Sequence, residues 1–107
     1  MGELVHLDDN NFDSEVTRST VPVLIDFYAD WCPPCKRLSP IIEEVAVDME
    51  GIIKVCKLDV QNNSDLATKY GVMNIPTMIL FKDGAEAWRA VGFQAKKAII
   101  KNVEANI

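Results

Sequence analysis

"VPVLIDFYADWCPPCKRLSPIIEEVAVDM", residues 21–49, places a nearly continuous apolar run, two cysteines separated by two prolines, and an amphipathic repeat one after another. The run at 21–29 has the length of a strand and the composition of one covered on both faces. Behind the cysteines Leu38, Ile41, Ile42, Val45 and Met49 recur at helical spacing, with Lys36, Arg37, Glu43, Glu44 and Asp48 on the other face. That pattern predicts an amphipathic helix, with Pro40 inside it and a kink where its ring crowds the Lys36 carbonyl. A strand feeding a helix opens a β-α-β unit, and chemistry in such folds gathers at the carboxyl ends of strands. The cysteine pair stands at such an end.

Working outward, the periodicity keeps switching between strand and helix, in the order β-α-β-α-β-α-β-β-α. Residues 4–7 form a short strand, and "DDNNFDSEV" starts a helix with Asn10 as N-cap and Phe12 and Val16 one turn apart. "IIKVCKLDV", residues 52–60, is the next strand; Ser64 to Tyr70 is a helix, with Gly71 suited to a left-handed cap. "TMILFKDGAEAWRAV" contains two strand-like runs about Asp83-Gly84, a pair typical of a two-residue hairpin turn. From about Gln94, Ile99, Ile100, Val103 and Ile107 make one stripe, with Lys96, Lys97 and Lys101 outside it as a solvated face. Strands alternating with helices imply a sheet covered on both sides by right-handed crossovers.

At 107 residues, 49% hydrophobic and 25% charged, the chain has the size and composition of one globular domain, residues 1–107. A formal net charge of −5 opposes binding to phosphate backbones, which excludes nucleic acid as an expected partner. No apolar stretch approaches the roughly 18 residues of a membrane span, and "MGELVHLDDNN" lacks a basic segment followed by an apolar one. His6 stands where a myristoylation pattern needs a hydroxyl. No membrane association and a cytoplasmic location are expected. Three cysteines, an odd number, suit a reactive pair plus one spare thiol in a reducing compartment better than a stapled secreted scaffold.

Cys32 and Cys35 at the start of a helix can close a small disulfide ring, with Cys32 in the positive end of the helix dipole and Lys36 and Arg37 adding positive charge. Cys32 is therefore expected to be the exposed, readily ionised nucleophile. Cys35, one turn in and less exposed, would attack the mixed disulfide that Cys32 forms with a substrate. Pro34 fits the first helical turn, where no donor is needed, and the restriction on residues before proline predicts that the helix starts at Pro34 with Pro33 outside it. The competing use of a C-x-x-C, half of a zinc site, needs two more ligands; only Cys56 and His6 remain, in separate strands, so no metal is expected.

"VLIDFYADWCPPCKRLSP", "VCKLDV", "GVMNIPTMILFKDG" and Val91-Gly92 together resemble the successive signatures of the thioredoxin family, in order and spacing, over essentially the whole chain. The chain departs at Pro33, where the common motif has glycine, and at Tyr28, where many members have tryptophan. The resemblance implies an α/β thioredoxin fold, with a central mixed sheet of about five strands flanked by about four helices. It implies an enzyme, a protein-disulfide reductase and electron carrier without a bound cofactor. Its partners would be disulfide-containing proteins and a thioredoxin reductase, and it would act as a monomer.

Asp26 interrupts the apolar strand, where burial should raise its pKa; the resemblance implies that it passes protons to and from Cys35, with Lys57 as its charge partner. Lys57 could equally be an ordinary lysine lying along a strand. Base rates alone make Ile75-Pro76 trans, while the resemblance implies a cis proline facing the disulfide, beside which an extended substrate strand pairs. Trp31, Val60, Ile75, Val91 and Gly92 match the family's apolar docking patch, and Trp31, Pro33 and Pro34 belong to the redox motif. Cys56 is most simply a small buried hydrophobe, with a regulatory thiol as the alternative, His6 is structural, and Trp88 packs on its hairpin. "WCPPC" also resembles tryparedoxins and the tethered thioredoxins of cytochrome c maturation, which carry extra segments or an export signal. A non-catalytic binding subunit on the same fold is the rival from another class.

Overall fold

The chain runs β1 (Leu4–His6), a short π-helix (Asp13–Thr17), β2 (Val23–Tyr28), α1 (Pro33–Asp48), β3 (Lys54–Asp59), α2 (Ser64–Lys69), β4 (Thr77–Lys82), β5 (Ala85–Val91) and α3 (Lys96–Ala105). The structure, a computed structural model, describes residues 3–107. The strands form a five-stranded mixed sheet in the order β1-β3-β2-β4-β5. β1, β3 and β2 run parallel, and β4 and β5 are antiparallel to their neighbours. The fold is the thioredoxin fold that the resemblance implies.

β2 lies between β3 and β4, and Val23 to Phe27 are buried, which explains the nearly continuous apolar run. Its side chains alternate across the sheet. Val23, Ile25 and Phe27 pack with Phe12, Val16, Leu58 and Phe81 on the face of the π-helix and α2. Leu24 packs with Leu38, Ile42, Val45, Ile99 and Val103 on the face of α1 and α3. By the same alternation Asp26 points to the α1 side, flanked in register by Lys57 of β3 and Met78 of β4.

The β4-β5 hairpin turns at Asp83 and Gly84, with φ of 53° and 78°, the two positive values of a type I′ turn. A Cβ on Gly84 would stand 2.9 Å from the Thr17 carbonyl oxygen. Farther along, pairing steps from Leu80↔Trp88 to Phe81↔Glu86, leaving Ala87 as the extra residue of a β-bulge. Trp88 packs at the edge of the α1-side core.

Four local expectations are corrected. Asn10 caps no helix: Phe12 precedes the π-helix, while Asp8 Oδ1 accepts the N–H groups of Asn10 and Asn11 in an Asx turn that competes with helix initiation. β1 ends at His6, and Leu7 is buried beyond it. Ile107 lies past α3 and is exposed, so the buried stripe is Ile99 and Val103. Finally, α1 begins at Pro33 and not at Pro34. Cys32 is the N-cap, extended at φ −92° and ψ 111° as the restriction on a residue before proline favours, whereas Pro33 is helical although Pro34 follows it. The Lys36 N–H donates to the Cys32 carbonyl at 3.1 Å, closing the first turn around two prolines whose nitrogens need no partner.

Candidate active site

Cys32 and Cys35 stand at disulfide distance, their Cα atoms 5.2 Å apart, at the junction of β2 and α1. An N-cap side chain accepts from the second or third helical residue. Pro34 holds the second position and has no N–H, so the bond comes from the third: Cys35 N–H donates to Cys32 Sγ at 3.2 Å. The first sulfur therefore receives a backbone donor and the positive helix end together. Among the described residues no such donor falls on Cys35.

The expected exposure of Cys32 is corrected: it is 3% exposed, the same as Cys35. The Cys32 N–H donates to the Ala29 carbonyl at 3.3 Å, turning the chain inward so that both cysteines pack with Ala29, Tyr28, Val60 and Ile75. The Ile75 carbonyl lies 3.9 Å from Cys32 Sγ. Trp31 takes the outward position and is 63% exposed.

Ile75-Pro76 is cis, as the resemblance implies and base rates alone do not. Thr77 begins β4 and pairs with Val91 of β5, and the Gly92 N–H donates to the Pro76 carbonyl at 2.8 Å. Val60 and Ile75 thus pack against the cluster that holds the cysteines, and Pro76, Val91 and Gly92 follow through the strand pairing. Val91, Phe93 and Met73 are exposed apolar residues on the same chain segments. Arg37 lies over the Phe93 ring, 5.9 Å from its centre.

Asp26 is fully buried, and among the described residues neither carboxylate oxygen has a hydrogen-bond partner. Burial pushes its pKa from 3.8 to about 7, against a smaller opposing pull from the Lys57 charge. Lys57 influences Asp26 through its field and makes its contacts elsewhere. Its Nζ donates to Ser39 Oγ at 2.9 Å and lies 4.4 Å from the centre of the Tyr28 ring. Tyr28, Cys35, Ser39 and Lys57 line one cleft of about 110 Å3. Ser39 escaped sequence reading; its only signal was its place one turn after Cys35, on the same helix face.

Cys56 is fully buried on the opposite face of the sheet, and burial lifts its thiol pKa to about 12. It packs within that core, where burial disfavours the reactive thiolate.

The family model described as Thioredoxin matches residues 3–105. A thioredoxin of Rickettsia bellii is 42% identical over 102 residues, covering 95% of this chain and 97% of its own. A thioredoxin of Pseudomonas aeruginosa is 43% identical over 104 residues, covering 97% and 96%. One from Staphylococcus aureus is 43% identical over 104 residues, covering 97% and 98%.

Proposed function

The chain belongs to the thioredoxin family, and from that premise we propose that it reduces disulfides in other proteins through Cys32 and Cys35. The observation that carries the reading is the cysteine pair at the α1 N-terminus, with the Cys35 N–H directed at Cys32 Sγ. In the reduced protein the same amide and the helix end favour the Cys32 thiolate over the thiol. That thiolate attacks one sulfur of a substrate disulfide, forming a mixed disulfide and expelling the other sulfur as a thiolate. Cys35, deprotonated, then attacks Cys32 Sγ and releases the second substrate sulfur. Two electrons have passed to the substrate, and the pair is left as a disulfide.

Asp26 takes the proton that Cys35 must lose. Its pKa of about 7 suits a group that gains and loses a proton near neutrality, and Lys57 and Ser39 border the cleft that Cys35 also lines. The substrate lies as an extended strand along residues 75–76, over a patch formed by Trp31, Val60, Ile75, Val91 and Gly92. Pro33 and Pro34 stiffen the ring and set its potential. A thioredoxin reductase returns the electrons, no bound cofactor takes part, and the protein works in the cytoplasm as a one-domain monomer. Among the described residues no helix is long and apolar enough to cross a membrane.

The test is insulin reduction with dithiothreitol as electron source. Catalysed precipitation of the insulin chains that disappears in both Cys32→Ser and Cys35→Ser supports the reading. A wild-type rate no faster than dithiothreitol alone would leave a binding subunit in its place.

A further inference from the structure

One strand holds the segment between α2 and β4 at both ends. At the far end the Gly92 N–H, just past β5, donates to the Pro76 carbonyl at 2.8 Å. At the near end Arg89 of β5 donates through Nη1 to the Gly71 carbonyl at 3.3 Å and through Nη2 to the Tyr70 carbonyl. Those carbonyls close α2, where helix carbonyls lack intrahelical partners and the dipole favours a cation. Glu86 in turn accepts from Arg89 Nε and Nη2, each at 2.8 Å.

This arrangement depends on the bulge. Residues three apart in a regular strand point to opposite faces. With Ala87 as the extra residue, Glu86 stands opposite Phe81 and Arg89 opposite Ile79, both on the face where Phe81 and Ile79 pack. On that face Tyr70 stacks on Phe12 and meets Phe81 edge-on, bringing the end of α2 within reach of the guanidinium. From there the chain runs through Met73, which is 90% exposed, to the Ile75 carbonyl beside Cys32 Sγ.

We propose that Arg89, aimed by Glu86 across the Ala87 bulge, is a positioning residue for substrate docking. It anchors the start of residues 71–76 so that Ile75 and Pro76 hold their place beside the Cys32 sulfur. The proposal rests on the reading of this pair as the dithiol of a protein-disulfide reductase. A protein substrate must lie along residues 75–76, whereas a small aromatic disulfide needs only the sulfur. Loss of Arg89 therefore acts on the first and spares the second.

The experiment compares wild type with Arg89→Met, Arg89→Lys and Glu86→Gln. It measures kcat and KM for insulin with dithiothreitol, and the rate at which each reduced protein reacts with 5,5′-dithiobis(2-nitrobenzoate). If the freed segment holds its docking conformation about a tenth of the time, KM for insulin rises about tenfold in Arg89→Met. The kcat and the small-disulfide rate stay within about twofold, the pattern of lost binding without lost chemistry. Arg89→Lys, a point charge without the guanidinium fork, rises less. Glu86→Gln moves KM in the same direction, and it decides the matter alone should Arg89→Met fail to fold. An unchanged KM, or insulin and small-disulfide rates that fall together, overturns the positioning role. Wild type inert toward insulin while still reacting with the small disulfide overturns the functional reading instead.

Discussion

Asp26 is a fully buried carboxyl group with no hydrogen-bond partner among the described residues, and that makes stability depend on pH in an unusual direction. Between pH 3.8 and about 7 the folded protein retains a proton that the unfolded chain has released. The free energy of unfolding therefore falls as pH rises through that window, the reverse of a salt-bridged carboxylate. A rise from 3.8 to about 7 corresponds to about 4 kcal/mol at about 1.36 kcal/mol per unit. Asp26→Asn is expected to remove this slope, leaving stability nearly unchanged at about pH 4 and raising it by a few kcal/mol at about pH 8. Urea unfolding at both pH values checks it; an undiminished slope in the variant would place the titration elsewhere. The same variant should release substrate from the mixed disulfide roughly tenfold to hundredfold more slowly, since the proton acceptor is gone. Asp26 was legible in the sequence because a charge inside a both-faces-buried strand has nowhere to go. Its neighbourhood was not: Lys57 turns to Ser39 and Tyr28, partners on two other elements that no local pattern announces.

The cysteines divide in the same way. In the reduced native protein, brief iodoacetamide treatment near neutral pH is expected to modify Cys32 before Cys35, and Cys56 not at all. Cys32 has the backbone donor, and Cys56 has a thiol held at about 12 by burial. Peptide mapping reads the order, and earlier labelling of Cys35 would reverse the assigned roles. The nucleophile was legible from its place at a helix start. Its burial was not, because the covering groups, Val60 and Ile75, come from distant parts of the chain.

At the level of elements, the first turn of α1 carries two prolines and so offers the Cys32 sulfur only one nearby amide, that of Cys35. Glycine at position 33, the first helical residue, adds no amide in the place from which an N-cap side chain accepts, but it loosens the reduced form more than the closed ring. That stabilises the dithiol relative to the disulfide, so Pro33→Gly is expected to have the less negative potential. A shift of about 30 mV, or about 1.4 kcal/mol for this two-electron couple, is the expected size. Equilibration with glutathione measures it, and a more negative value in the glycine variant would contradict the role given to the stiffness of Pro33. The hairpin depends on its turn in a different manner. Gly84→Ala forces a side chain into positive φ and against the Thr17 carbonyl oxygen at 2.9 Å, and should cost more than the about 1 kcal/mol of conformational preference alone. A urea midpoint equal to wild type would mean that the turn relaxes freely. Asp83-Gly84 was readable from local chemistry. The Ala87 bulge was not, since one extra residue in a strand leaves no mark until its partner strand is known.

For the whole molecule, what matters is that a single sheet order, β1-β3-β2-β4-β5, gathers four separated stretches at one end. The β2-α1 junction supplies the sulfurs, the end of β3 supplies Val60, the residues before β4 supply the cis proline, and the end of β5 supplies Val91 and Gly92. The alternation of strands and helices was legible because short apolar runs of strand length give way to apolar residues at helical spacing along the chain. The convergence of these stretches came only from the family resemblance, since periodicity carries no information about which strand lies beside which. If that convergence serves disulfide exchange, an intermediate covalently joined to Cys32 must exist and must persist when Cys35 cannot resolve it. The most direct measurement is mass spectrometry of reduced Cys35→Ser after incubation with insulin. A stable mixed disulfide mapped to Cys32 and cleared by dithiothreitol is the expected result; no adduct, or an adduct on Cys56, would contradict it.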